Sequence, residues 1–191
     1  LIGSGQVLSI LSGIARIKVV AITLGTVGIG LFGLYQSVLD LFKTIFSFGL
    51  NLTVSREAAI VVNKEENLSD LWPKVFSWII LGSIFSSVSL FIYYLFQDFL
   101  RLSLNIDLFY YFVFILLFYF SIFCAISQSF IQGGLGYKTF INISILSNLI
   151  GTFCSILVIF LFKKEGILPS LLIFWFVSFF VSYYSLKRNL G

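Results

Sequence analysis

The sequence predicts an all-α integral membrane protein, a six-helix transmembrane bundle. Three observations carry that reading. Of the 191 residues, 59% are hydrophobic and only 10% are charged, against roughly 25% charged in a soluble domain. Mean hydropathy is +1.07. The apolar runs are also long and continuous, whereas the strands of an outer-membrane barrel would be alternating segments of roughly ten residues.

Spanning a bilayer needs about 20 apolar residues at a rise of about 1.5 Å each. Six stretches satisfy this, at about 3–24, 30–50, 74–96, 108–132, 139–162 and 167–186. The segment 51–73 is the one substantial polar connection, and its first half has the pattern of an amphipathic helix lying at the interface. "NLSD" then offers a cap, and Pro73 stands where a helix begins. Orientation follows from the basic residues between spans. With the start of the chain in the cytoplasm, Arg56, Lys64, Lys74, Lys138, Lys187 and Arg188 lie inside, while Arg101, Lys163 and Lys164 lie outside. The larger set marks the cytoplasmic side, so 51–73 is a cytoplasmic loop and both ends are cytoplasmic.

Composition also excludes chemistry. The chain has no His, the commonest general base and metal ligand. Its acids are few and scattered, so no metal site and no catalytic residues are expected, and the chain does not read as an enzyme. Cys124 and Cys154 lie inside apolar runs and read as packing residues. Met is absent, so Leu1 does not read as a native start and the sequence reads as a piece of something longer. Gly28, Gly30 and Gly33 spell G-x-G-x-x-G, but a dinucleotide fingerprint needs a preceding strand and a βαβ unit. Between two apolar spans the motif reads as a tight turn followed by close helix packing. No nucleic-acid partner is expected.

Plotted at about 100° per residue, several spans carry a polar stripe. Gln6, Ser9, Gly13 and Arg16 share one side of the first, and Gln36, Asp40, Lys43 and Ser47 one side of the second. Ser121, Ala125, Gln128 and Gln132 align on the fourth, and Ser144, Asn148, Gly151, Thr152 and Ser155 on the fifth. Ser178, Ser182 and Ser185 form a weaker row on the sixth. Two readings stand side by side. Small and hydroxyl residues let helices approach and hydrogen-bond; charged and amide residues line a shared, water-filled cavity. A charge at mid-membrane costs roughly 2.5–3.5 kcal/mol and normally faces such a cavity or a partner. Asp40 and Lys43 have the spacing of a local ion pair, which leaves Arg16 without an acid. Lys18 points away from the Arg16 stripe and can snorkel to an interface. Bases exceed acids at depth, which favours an anionic substrate, with Arg suited to phosphate and Lys acting as a point charge.

The run "ARIKVVAITLGTVGIGLFGLYQSVLDLFKTIFSFGLNLTVSREAAIVVNKEE" resembles the opening of O-antigen flippases of the polysaccharide transporter family, within the multidrug/oligosaccharidyl-lipid/polysaccharide exporter superfamily. The shared elements are a helix ending in "LG", a Gly-rich turn, "GLY", and the exit "FGLN…SREAA". "FIQGGLGYKTFINISILSNLIGTFCSILVIFLFKKEGIL" resembles the fourth-to-fifth hairpin of the same proteins. The resemblance implies the N-terminal lobe of a two-lobed, six-plus-six transporter whose C-terminal lobe is missing here. It implies translocation of an oligosaccharide linked to undecaprenyl pyrophosphate from the cytoplasmic to the periplasmic leaflet of the bacterial inner membrane, in lipopolysaccharide biosynthesis. Membrane lipid and that lipid-linked sugar are the partners it implies. By the same resemblance Arg16 contacts the pyrophosphate or acidic sugars, with Lys43 and Lys18 in support. Gln36, Gln128, Asn148 and Thr152 hydrogen-bond sugar hydroxyls, and Asp40 answers a coupling H+ or Na+ or keeps Lys43 oriented. The competing readings are a cation-coupled drug antiporter of the same superfamily, which would want an excess of acids at depth, and a non-functional truncated half.

Overall fold

The computed structural model describes residues 2–47, 49–65, 67–96 and 108–190, with side chains described for 7–45, 47, 49–65, 67–85, 87–88 and 112–188. Every element among the described residues is helical. In hydrocarbon the backbone must satisfy its own N–H and C=O groups, which a helix does within one segment. The helices are α1 (Ile2–Phe46), α2 (Leu50–Asn63), α3 (Leu68–Phe96), α4 (Leu108–Gly134), α5 (Tyr137–Phe162) and α6 (Ile167–Leu190). A single 3-10 turn, Lys163–Gly166, joins the last two. Arg101 and the rest of 97–107 lie outside the described residues, as does the side chain of Gln6.

Among the described residues, three stretches are long and apolar enough to cross a membrane: Val7–Ile45, Phe112–Gly134 and Tyr137–Arg188. The first and third, at 39 and 52 residues, exceed the roughly 20 needed for one crossing. Each contains a break. In the third it is the turn at Lys163–Gly166, where Lys163 takes a positive φ of 50°. In the first it is Gly25, whose φ of 66° and ψ of −161° are not helical.

Gly25 decides the shape of α1. In a straight helix Arg16 and Phe32 would stand about 24 Å apart along the axis. Instead the Arg16 guanidinium carbon lies 5.2 Å from the centre of the Phe32 ring, and Val20 shares a core cluster with Phe32 and Leu39. The two arms of α1, 2–24 and 26–46, therefore fold back on each other about Gly25. The turn expected at Gly28, Gly30 and Gly33 is displaced. Gly28 is the buried neighbour of Leu24, but Gly30 and Gly33 are exposed and a Cβ on either would meet nothing within 4 Å. The reason is backbone conformation: the φ/ψ of Gly25 belongs to a region that is essentially glycine-only, while the other three glycines stay helical.

α3 also differs from expectation. It begins at Leu68, and Pro73 lies inside it. Asp70 sits in its first turn, where a carboxylate opposes the positive end of the helix. The proline removes one intrahelical N–H bond early in the helix rather than opening it.

Two apolar clusters organise the bundle, and α4 runs through both. One joins Val54 and Ala58 of α2, Val75 and Ile79 of α3, and Phe123, Ile126 and Phe130 of α4. The other joins Val20, Phe32 and Leu39 of α1 with Phe114 and Phe118 of α4, Ile159 of α5 and Leu171 of α6. α2 buries Val54 and Ala58 and exposes Arg56 and Glu57, so its polar face looks away from α4. Its approach to α4 is close: a Cβ on Gly133 would run into the backbone of Ser55. The outer surface is apolar, with Ile22, Val27, Phe153, Leu161 and Tyr184 each more than 60% exposed. Lipid contact gives such residues a favourable environment that water would not.

Two substitutions test this architecture. Gly25→Ala meets no atom within 4 Å, so its whole cost is backbone strain of about 1–3 kcal/mol. Gly30→Ala, in helical conformation and equally uncrowded, is neutral or stabilising by up to about 1 kcal/mol. Thermal melts of the two purified variants should separate in those directions; coincident curves would remove Gly25 as the hinge. Gly133→Val should destabilise by about 1–3 kcal/mol through overpacking against α2, read as a lower melting temperature and earlier proteolysis within 50–63. Melting and cleavage like those of the unsubstituted chain would mean that α2 does not lie there.

Candidate functional site

The site is built from the two arms of α1 and one face of α6. Arg16 lies on the first arm. Its guanidinium sits over the Phe32 ring of the second arm at 5.2 Å and over the Phe174 ring of α6 at 4.4 Å. On the second arm, the Lys43 ammonium sits 4.5 Å from the centre of the Trp175 ring. A cation is drawn to the negative face of an aromatic ring, and the attraction is strongest for Trp and away from water. Two neighbouring residues of α6, Phe174 and Trp175, thus hold one cation from each arm.

Gly151 allows this. A Cβ there would meet the Phe174 ring at 2.9 Å, so only glycine lets the ring lie against α5 and reach Arg16. Thr152 beside it is 7% exposed.

The hydrogen-bonding edges near these cations are unfilled. Arg16 Nε and Nη1 are buried and have no partner among the described residues, and the same holds for Gln36 Oε1 and Trp175 Nε1. Stacking engages the flat face of a guanidinium and leaves its in-plane N–H groups free. Arg16 therefore keeps both its charge and donors.

Asp40 and Lys43 do not form the local ion pair that their spacing allows. Among the described residues Asp40 accepts a hydrogen bond from Gln36 Nε2 at 3.2 Å, while Lys43 turns to Trp175. Asp40 is exposed and Lys43 half-buried. The physical reason is that a ring face inside the bundle competes with a carboxylate that faces outward, where a neighbouring amide already serves it.

The eight residues singled out in the sequence fall into separate groups. Arg16 sits over Phe174, which packs against Gly151, and Thr152 is buried next along α5. Lys43 lies near Cys124 of α4. Gln128 donates to Cys124 Sγ at 3.3 Å, and that sulfur lies 3.8 Å from Ser182 Oγ. Asn148 donates to Ser9 Oγ at 3.1 Å and to Ser144 Oγ at 3.5 Å, fastening α5 to the first arm. Gln36 and Asp40 form their own pair. Lys18 is exposed, apart from all of these. A cavity of about 380 Å³ lies elsewhere, between the end of α2 and the start of α3, lined by Val61, Glu65, Asn67, Asp70, Leu71 and Lys74. None of the eight lines it.

Sequence reasoning passed over Phe32, Phe174 and Trp175. With 24 Phe in the chain, a phenylalanine carries little information. Trp175 offered a signal: tryptophan collects at the ends of membrane helices, and this one stands well inside α6. A tryptophan at depth wants a partner for its N–H or its ring.

Residues 1–189 match the family model described as "Polysaccharide biosynthesis protein". No curated protein and no solved structure matches the chain. With that match over its length and its apolar helices, the chain is a multi-pass membrane protein that belongs to the polysaccharide biosynthesis protein family.

Proposed function

We propose that the chain is one lobe of a translocase for a lipid-linked oligosaccharide, an O-antigen unit on undecaprenyl pyrophosphate, moved from the cytoplasmic to the periplasmic leaflet of the bacterial inner membrane. One observation carries the reading. In a member of a polysaccharide biosynthesis family, two cations are held inside the bundle on aromatic rings instead of carboxylates. A cation neutralised by an acid has little attraction left for a phosphate. A cation seated on a ring keeps its charge, and burial away from water strengthens its pull on an anion.

In this reading Arg16 and Lys43 bind the pyrophosphate, and the indole N–H of Trp175 adds a donor. Gln36, with its unpartnered Oε1, takes a sugar hydroxyl directly. Gln128 and Asn148 would first exchange their bonds to Cys124 and Ser9. Thr152, buried next to Gly151, offers its hydroxyl to the sugar. Lys18, exposed on the first arm, meets headgroups at the membrane surface. Asp40, exposed and bonded through one oxygen to Gln36, answers the coupling H+ or Na+. Transport then runs by alternating access of this lobe against a second one, with both ends of the chain on the cytoplasmic side.

Arg16→Ala in the full-length parent should lower surface polysaccharide about tenfold or more at equal protein abundance, through loss of a charge-assisted contact to phosphate. Arg16→Lys should recover part of it. Unchanged polysaccharide in the alanine variant would refute the assignment. Asp40→Asn should flatten the dependence of transport on the imposed proton or sodium gradient, measured in vesicles. A variant that keeps the parental gradient dependence would take Asp40 out of coupling.

A further inference from the structure

Phe174 and Trp175 are successive residues on one helix, yet each lies under a different cation from a different arm of α1. Successive side chains on a helix diverge by about 100°. One residue pair on α6 therefore sets two cations apart in direction, one toward the first arm with α5 and one toward the second arm with α4. Phe174 is further fixed from behind by Gly151. We infer that Phe174 and Trp175 are positioning residues for the anion site: their ring faces fix Arg16 and Lys43, neither of them salt-bridged among the described residues, as cations open to a pyrophosphate-class group. The inference rests on the function proposed above, and it assigns a role to aromatic residues that touch the cations rather than the substrate.

The physical logic is pre-organisation. An unheld Arg or Lys has several rotatable bonds, and ordering it upon binding costs affinity. A carboxylate partner would hold it but cancel its charge. A ring face holds it at about the distances seen here, 4.4–5.2 Å, and leaves the charge available.

The test uses the protein in lipid nanodiscs, with farnesyl pyrophosphate as probe and farnesol as its neutral counterpart. Phe174→Leu and Trp175→Leu should each weaken farnesyl pyrophosphate binding about tenfold and leave farnesol binding unchanged. Phe174→Tyr and Trp175→Phe, which keep a ring under each cation, should stay within about threefold of the unsubstituted chain. A purely structural role would lower both probes together, and that result overturns the inference. So does full affinity in the leucine variants while Arg16→Ala and Lys43→Ala lose binding, an outcome that leaves the anion site itself standing. If Arg16→Ala combined with Lys43→Ala binds the pyrophosphate normally, or the unsubstituted chain shows no preference over farnesol, the anion site falls and the inference with it. Should the leucine variants fail to fold, a tetrafluorinated tryptophan at 175 keeps the shape and drains the ring's negative face. Its affinity for farnesyl pyrophosphate must drop; unchanged affinity is fatal to the inference.

Discussion

The contact of the Arg16 guanidinium with the rings of Phe32 and Phe174 is the interaction on which the arrangement turns. It joins three segments that are far apart in sequence: both arms of α1, and α6. A charge at membrane depth costs roughly 2.5–3.5 kcal/mol on insertion scales. A desolvated cation–π contact returns on the order of 2 kcal/mol, so two rings offset most of that cost without a counter-ion. This is why an arginine can sit inside an apolar bundle with no acid paired to it among the described residues, and why its charge remains open to an anion.

That contact depends in turn on backbone. Were Gly25 helical, α1 would be a rod of 45 residues, about 68 Å long, more than twice the roughly 30 Å hydrocarbon core. The break folds the second arm beside the first and puts Phe32 within reach of Arg16. On the other side, Gly151 leaves room for Phe174. The rest of the interior follows the same rule of close approach. Ser121, Ser127, Ser147, Ser155, Ser178 and Ser182 are buried between helices. Ser121 gives its hydroxyl back to its own helix, at the Phe118 carbonyl 2.9 Å away, while the hydroxyls of Ser127, Ser147 and Ser155 have no partner among the described residues. Small side chains matter here because lipid tails are as apolar as leucine, so contact area and short separations, rather than escape from water, hold membrane helices together.

Lys43 shows how a local expectation yields to packing. Three residues from Asp40 on a helix, it has the spacing of an ion pair worth a few tenths of a kcal/mol. Trp175 offers a cation–π contact that is stronger away from water, and the side chain follows it. The result separates the two charges into an inward cation and an outward acid on one helix. Their sequence spacing alone does not distinguish that arrangement from mutual neutralisation. The amides behave alike: Gln128 and Asn148 lie on the stripes read from periodicity, but each finds a partner on a neighbouring turn or helix instead of joining one common group.

What the sequence determined by itself was the solvent and the class of structure. Low charge, high hydropathy and long apolar runs leave the chain only a helical way to satisfy its backbone in lipid, and that follows from composition and period alone. The amphipathic segment after the second apolar run was legible for the same reason, as α2, because burial of Val54 and Ala58 repeats with helical spacing. Arg16 and Lys43 were legible as unusual because a charge in an apolar run is costly wherever it lies. Their partners were decided only in the tertiary structure. Two spans with a turn between them were read from length and glycines, but which glycine breaks the helix depends on a single φ/ψ at Gly25, and four nearby glycines look alike in sequence. Which phenylalanine of 24 meets a cation depends on the rotation and approach of α6, fixed by contacts between segments more than a hundred residues apart.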